Sequence, residues 1–178
     1  MCPQQNDNRI QKGKSEYRRR NVVIFGLFIA ISSVVYVVEG IIPFPVPGGK
    51  WGFSNFIVLY LSYYSSLSDA LLLAVSKSLL GSILSGTIFT PGFFMGFFGS
   101  IASAVVQSLV SKTKIFGITG ISIIGMVANN ITQFFVGSVL IGSKAIYSLL
   151  PIVLFFGSFS AIANAYLALQ TARLEVKS

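Results

Sequence analysis

Apolar residues run along this chain in long blocks, not in the one-sided stripes of a soluble helix. Residues 22–42, 70–89, 92–110, 116–141 and 147–169 are almost continuously apolar, with short polar or proline- and glycine-bearing stretches between them. At 1.5 Å of rise per residue, about 20 residues cross a hydrocarbon core of about 30 Å. A sixth block, 53–64, is short for that task. It either starts at Trp51, lies with little tilt, or is a re-entrant segment that leaves five true crossings. The pattern predicts an all-α integral membrane protein: six transmembrane helices in one bundle over residues 22–170, a basic tail at 1–21 and a second tail at 171–178. The block starting at Val22 is too long for the core of a cleaved signal, and the polar stretch before it reads as a mobile tail.

Composition agrees with the pattern. Of 178 residues, 53% are hydrophobic and only 10% charged, with a mean hydropathy of +0.78. A soluble domain carries about 25% charged residues, so this chain lacks the polar surface to face water on all sides. The net charge of +8 is a topology signal before it is a nucleic-acid signal, because the basic residues sit at the ends of the apolar blocks. In the six-span arrangement Arg9, Lys12, Lys14, Arg18, Arg19, Arg20, Lys112, Lys114, Arg173 and Lys177 share one side, against Lys50 and Lys144 on the other. Both termini are therefore expected in the cytoplasm, with the protein in the cell membrane and no nucleic-acid partner. Tyr60, Tyr63 and Tyr64 near an inner boundary and Trp51 near an outer one read as interfacial anchors. Cys2 is the sole cysteine, which precludes an internal disulfide and reads as a solvated thiol.

Polar residues inside the apolar blocks carry the candidate chemistry. A charge at mid-bilayer costs at least about 2.5–3.5 kcal/mol on insertion scales and marks a functional position by default. Lys77 lies about 12 Å from the inner end of its block by helix rise, deeper than its own side chain reaches. Lys77, Gly81 and Ser85 share one face, with Ser78, Ser82 and Gly86 beside it. Close helix approach explains the small residues but not the lysine. Glu39 is the obvious counter-ion, yet the same rise places it more than about 10 Å away along the bundle, leaving an anionic ligand or a ring of carbonyls as the alternative partner.

Asn129, Asn130 and Gln133 form a narrow amide wedge on the fifth block. Amides supply donors and acceptors, so they either read a polar ligand or tie helices together. Gly157, Ser160, Ala161 and Asn164 repeat the pattern more weakly, as a packing face. The stretch 43–52 holds three prolines and adjacent glycines, enough to shape a lid, and it brings Lys50 and Asn55 within about two turns of the outer face. The competing reading is a rigid turn with a snorkelling lysine. Gly26 and Ala30 form a small-xxx-small pair that lets another helix approach closely.

Several reactions are argued against. The phosphate-binding Gly-x-x-x-x-Gly-Lys-Ser/Thr run is absent, so the chain is not its own conventional ATPase. It has no histidine, and Asp7, Glu16, Glu39, Asp69 and Glu175 are scattered. A zinc site and a His-based triad are thereby ruled out, and metal-assisted isoprenyl condensation lacks its acid cluster. The chain is expected to be no enzyme and to need no cofactor.

With those residues in view, the chain resembles the Gx transporter family, whose members are often labelled component I of heptaprenyl diphosphate synthase and resemble the substrate-binding components of energy-coupling factor transporters. The resemblance runs from about Pro43 to Phe135. It rests on Gly49-Lys-Trp-Gly-Phe-Ser-Asn55, Lys77-Ser-Leu-Leu-Gly-Ser-Ile-Leu-Ser-Gly86 and Asn129-Asn130-Ile-Thr-Gln133. The family pattern often has His where this chain has Asn129, and Gly where it has Thr132. The resemblance implies a six-helix substrate-binding subunit that captures a small molecule outside the cell, with Lys50, Asn55, Lys77, Ser82, Asn129, Asn130 and Gln133 as site residues. It further implies docking, through Gly26 and Ala30, to a transmembrane coupling subunit that works with two cytoplasmic ATPases. A membrane anchor or assembly subunit for a redox or isoprenoid-quinone pathway is the alternative, with the same polar residues merely joining helices.

Overall fold

The computed structural model describes residues 3–42 and 51–177, with side chains described over 22–42 and 51–173. Cys2, Lys50 and the rest of the 43–50 stretch lie outside the described residues. Six helices follow in order: α1 (Pro3–Ile41), α2 (Phe56–Tyr64), α3 (Leu67–Leu84), α4 (Pro91–Thr113), α5 (Ile118–Ile141) and α6 (Leu150–Lys177). A 3-10 turn at Phe53–Asn55 leads into α2, and another at Lys144–Leu149 leads into α6. Five of the helices are long and apolar enough to cross a membrane, and α2 is not one of them.

Local chemistry sets the boundaries. Ser66 caps α3 by accepting the Asp69 amide at 3.2 Å, and Asp69 itself accepts from the Ser65 hydroxyl. Thr90 caps α4 by accepting the Phe93 amide, with Pro91 at the first position, where no amide hydrogen is needed. The apolar block expected to run to Phe89 instead stops as a helix at Leu84. Gly86 takes φ 65°, its amide donates to Ile83 O at 3.2 Å and the Thr87 amide to Ser82 O at 2.9 Å, the paired bonds of a Schellman stop. Hydropathy has no sight of that stop, because the residues beyond it are still apolar. At its start α1 extends back through the polar stretch to Pro3, where a mobile tail was expected. Gln, Arg, Lys and Glu are good helix formers, and that stretch is rich in them.

The short block is the centre of the bundle. Ile57, Val58, Leu59, Tyr60, Leu61 and Ser62 are all buried, and α2 packs on α3, α4, α5 and α6. Phe25, Phe28 and Ile29 of α1 close the remaining side. Nine residues rise only about 13–14 Å, far short of a hydrocarbon core. Even so, α2 carries the chain from the level of Glu39, which bonds the Phe53 amide, back to that of Phe28, whose ring meets Tyr60 edge-on at 5.7 Å. Tyr60 is therefore a core residue and not the interfacial anchor expected, while Tyr63 and Tyr64 do reach the surface.

Glycine sets the closest helix approach. At Gly81 a Cβ would overlap the Tyr36 ring close to its base, so only glycine lets α1 lie on α3 there. Tyr36 then meets the Ser82 hydroxyl at 3.2 Å.

Candidate functional site

Lys77 is 1% exposed and among the most deeply buried side chains described. Its ammonium donates to Ser54 O at 3.1 Å, to Ser54 Oγ at 3.2 Å and to Asn55 Oδ1 at 2.5 Å. Glu39 reaches the same turn from α1, accepting the Phe53 amide at 2.6 Å and the Ser54 amide at 3.3 Å. The separation read from helix rise treats Glu39 and Lys77 as points on parallel rods. The 53–55 turn sits between them and gives both a common partner, Ser54. Each charge thus meets backbone dipoles of the opposite sign, which offsets much of its burial cost.

Two more helices fasten this turn. The Ser100 hydroxyl of α4 donates to Asn55 Oδ1 at 3.1 Å, and Asn164 Nδ2 of α6 donates to Gly52 O at 2.9 Å. Gly52 has φ 82°, a left-handed conformation that glycine adopts without strain. Four helices therefore fix a segment that hydropathy reads only as the start of a short apolar block.

Beneath the turn lies a cavity of about 20 Å³. The turn contributes Trp51, Gly52 and Asn55 to its wall, and α4 contributes Ser103 and Gln107. Ser122, Met126, Asn129 and Asn130 come from α5, while Gly157, Ser160 and Asn164 come from α6. No charged side chain lines it among the described residues. Trp51, expected as a lipid-facing anchor, is part of this wall; its ring stacks on Phe53 at 6.1 Å and meets Phe156 edge-on at 6.3 Å. Asn130 Nδ2 contacts Met126 Sδ at 3.1 Å, and Ser122 donates to Ala161 O at 2.7 Å. Gln107 Oε1 and Asn164 Oδ1 are buried with no hydrogen-bond partner among the described residues.

Of the residues singled out from sequence, Asn55, Asn129 and Asn130 come together at the cavity. Lys77 lies behind Asn55 and is absent from the wall, so its effect on the cavity passes through the turn. Gln133 packs its Cγ toward Gly99, and Ser82 bonds Ser78 O and Tyr36 at the α1–α3 contact. Lys50 lies outside the described residues. Gly26 and Ala30 are exposed on α1, and a side chain added at Gly26 would meet nothing within 4 Å. Sequence reasoning missed Gln107 and undervalued Asn164. Ser100, Ser103 and Gln107 recur at spacings of three and four, a polar stripe on α4 that the same helical rule would have revealed.

Five crossing-length apolar helices, with exposed Leu, Ile, Val and Phe on their outer faces, enclose a short helix and a polar cavity. Those features define an all-helical membrane protein with a buried polar site. Residues 28–171 match the family model described as heptaprenyl diphosphate synthase component I, and the chain belongs to that family. The match is longer than the stretch carrying the recognisable motifs. No curated protein and no solved structure matches the chain.

Proposed function

We propose that this chain is the substrate-capture subunit of an energy-coupling factor type uptake transporter. The observation that carries this reading is the polar cavity, with no charged side chain among its described lining residues, walled in part by Trp51, Gly52 and Asn55 inside a bundle of helices long and apolar enough to cross a membrane. Burying the Gln107 and Asn164 oxygens without a hydrogen bond is costly unless a bound molecule supplies the partner. Energy would come from elsewhere: a transmembrane coupling subunit and two cytoplasmic ATPases, docked on the open Gly26–Ala30 face of α1. The protein itself would perform no reaction. Glu39 and Asp69 support this, since Glu39 holds the 53–55 turn while Asp69 caps α3.

Native mass spectrometry of gently extracted protein tests the capture role directly, the expected result being a retained small molecule. Sustained uptake should need added coupling and ATPase subunits, and ATP hydrolysis by the pure chain would sink the proposal. Gly26→Leu should weaken docking of the coupling subunit while leaving the melting temperature of the isolated chain unchanged, because the added side chain meets open space.

The same reading places α2 as the return segment of a six-segment topology, with both termini cytoplasmic and the protein in the plasma membrane. Reporter fusions at Ser178 and near Ser143 are expected to give opposite signals, and matching signals would overturn the topology. One observation favours a second reading, an anchor or assembly subunit in an isoprenoid-quinone pathway: Lys77 is held by its own turn, as a purely structural lysine would be, in a family named for heptaprenyl diphosphate synthase. Retention of a partner enzyme in place of a small molecule would support that alternative.

A further inference from the structure

The cavity's hydrogen-bonding state limits what can occupy it. Asn164 donates its amide nitrogen to Gly52 O, and this fixes the side chain's orientation, since the reverse would set two oxygens 2.9 Å apart. Its Oδ1 is therefore the end left over, in a residue only 6% exposed that lines the cavity. Gln107, 2% exposed and lining the same cavity from α4, also has an unpartnered oxygen. The Asn164 oxygen accepts and cannot donate, so its missing partner is a hydrogen-bond donor, while the Gln107 amide, held by no hydrogen bond among the described residues, can present either its oxygen or its nitrogen.

Charge supplies the second limit. An ion buried here would meet no opposite charge among the described lining residues. The ammonium of Lys77 is turned to Ser54 and Asn55, and Lys77 does not line the cavity. Trp51 and Met126 add a ring face and a polarisable thioether.

We infer that the cavity takes an uncharged small molecule with a hydrogen-bond donor for Asn164 Oδ1, a polar group that pairs with the Gln107 amide, and a flat apolar body against Trp51 and Met126. Carboxamides, lactams, ureas and amino-substituted heteroaromatic rings have this chemistry; carboxylates and phosphates do not. This rests on the capture function proposed above and replaces the anionic ligand that Lys77 alone suggests. The space now open suffices for about one water molecule, so binding must enlarge the site and shift its wall. Trp51 is the chain's only tryptophan and reports that shift.

The test uses the full chain in detergent and matched probe pairs: benzamide with benzoate, and 2-aminopyrimidine with pyrimidine-2-carboxylate. Thermal midpoint and a saturable change in Trp51 emission are read for each. The expected result is binding of an uncharged member at least about tenfold tighter than its carboxylate, a difference that one or two hydrogen bonds supply. Gln107→Met should weaken binding of the uncharged members several-fold while leaving the unliganded midpoint equal or higher, because it removes an unpartnered buried amide at nearly constant volume. Asn164→Leu should also lose binding, with a lower midpoint from the lost bond to Gly52. Carboxylates binding as tightly as their partners would overturn the substrate class and leave capture standing. Failure of every uncharged probe, with a higher midpoint for Gln107→Met, would make the cavity a packing feature and remove both readings.

Discussion

Replacing Lys77 with methionine will lower the stability of the bundle while making α3 easier to insert. The unfolded but inserted helix bears the cost of a lysine in lipid, about 2.5–3.5 kcal/mol on insertion scales, and methionine removes it. The folded bundle bears little of that cost, because Ser54 and Asn55 accept the ammonium's hydrogens. Both effects favour the unfolded state in the variant. Hydrogen bonds to a charged group are worth about 1.5–3 kcal/mol, so a loss of that order is expected from unfolding titrations in mixed micelles. Glu39→Gln should cost less, since an amide oxygen still accepts one backbone hydrogen. Through their shared partner Ser54, the two charges should couple: the double variant is expected to be more stable than the sum of the single losses by about 0.5–3 kcal/mol. Additivity within about 0.5 kcal/mol would show that the turn does not link them.

The second large effect is expected at Gly99. A Cβ there would lie 2.6 Å from Asn129 Oδ1, 2.7 Å from Gln133 Cγ and 3.0 Å from the backbone oxygen of Asn129. Side chains can rotate away, but the carbonyl belongs to α5 and yields only if the helices separate. Gly99→Ala should therefore cost about 1–3 kcal/mol, as overpacking does, and displace Asn129 from the cavity wall. Gly125→Ala is the informative contrast. Its Cβ would overlap only the Gln107 side chain among its nearest neighbours, which can swing out about χ1. A smaller stability loss with an equally damaged cavity is the expected outcome there. Equal melting temperatures for Gly99→Ala and the parent would show that α4 and α5 are less tightly apposed than described.

Much of the fold follows from apolar blocks alone, because a helix in lipid must be long and continuously apolar. That rule finds α4 and α5 to within a few residues, and the apolar part of α1 and the start of α6, but not the polar extensions of those two helices back to Pro3 and on to Lys177. It overruns α3, where one glycine conformation outweighs five further apolar or neutral residues. It leaves α2 open, since burial by protein and burial by lipid select the same side chains; Tyr60 looked like an anchor for that reason. At the site, Asn129 and Asn130 stood out as adjacent amides in an apolar run. Gln107 and Asn164 did not, each being a single amide whose meaning depends on what faces it. The meeting of Glu39 and Lys77 at Ser54 is a tertiary fact: helix rise measures position along an axis and is blind to a turn inserted between two helices.

The enclosure of α2 also bears on how the chain is made. Phe25, Phe28 and Ile29, which cover one side of it, leave the ribosome before α2 itself, whereas Ala165 and Ala168, on another side, emerge only after α3, α4 and α5. Ile57, Val58 and Leu59 must therefore wait through the synthesis of α3, α4 and α5 before their final neighbours exist. A nascent chain arrested before α6 would present a nine-residue helix too short to hold itself across a bilayer, beside helices already inserted. Membrane quality-control proteases read such unfinished surfaces, so truncation within α6 should shorten cellular half-life far more than loss of the residues beyond Arg173.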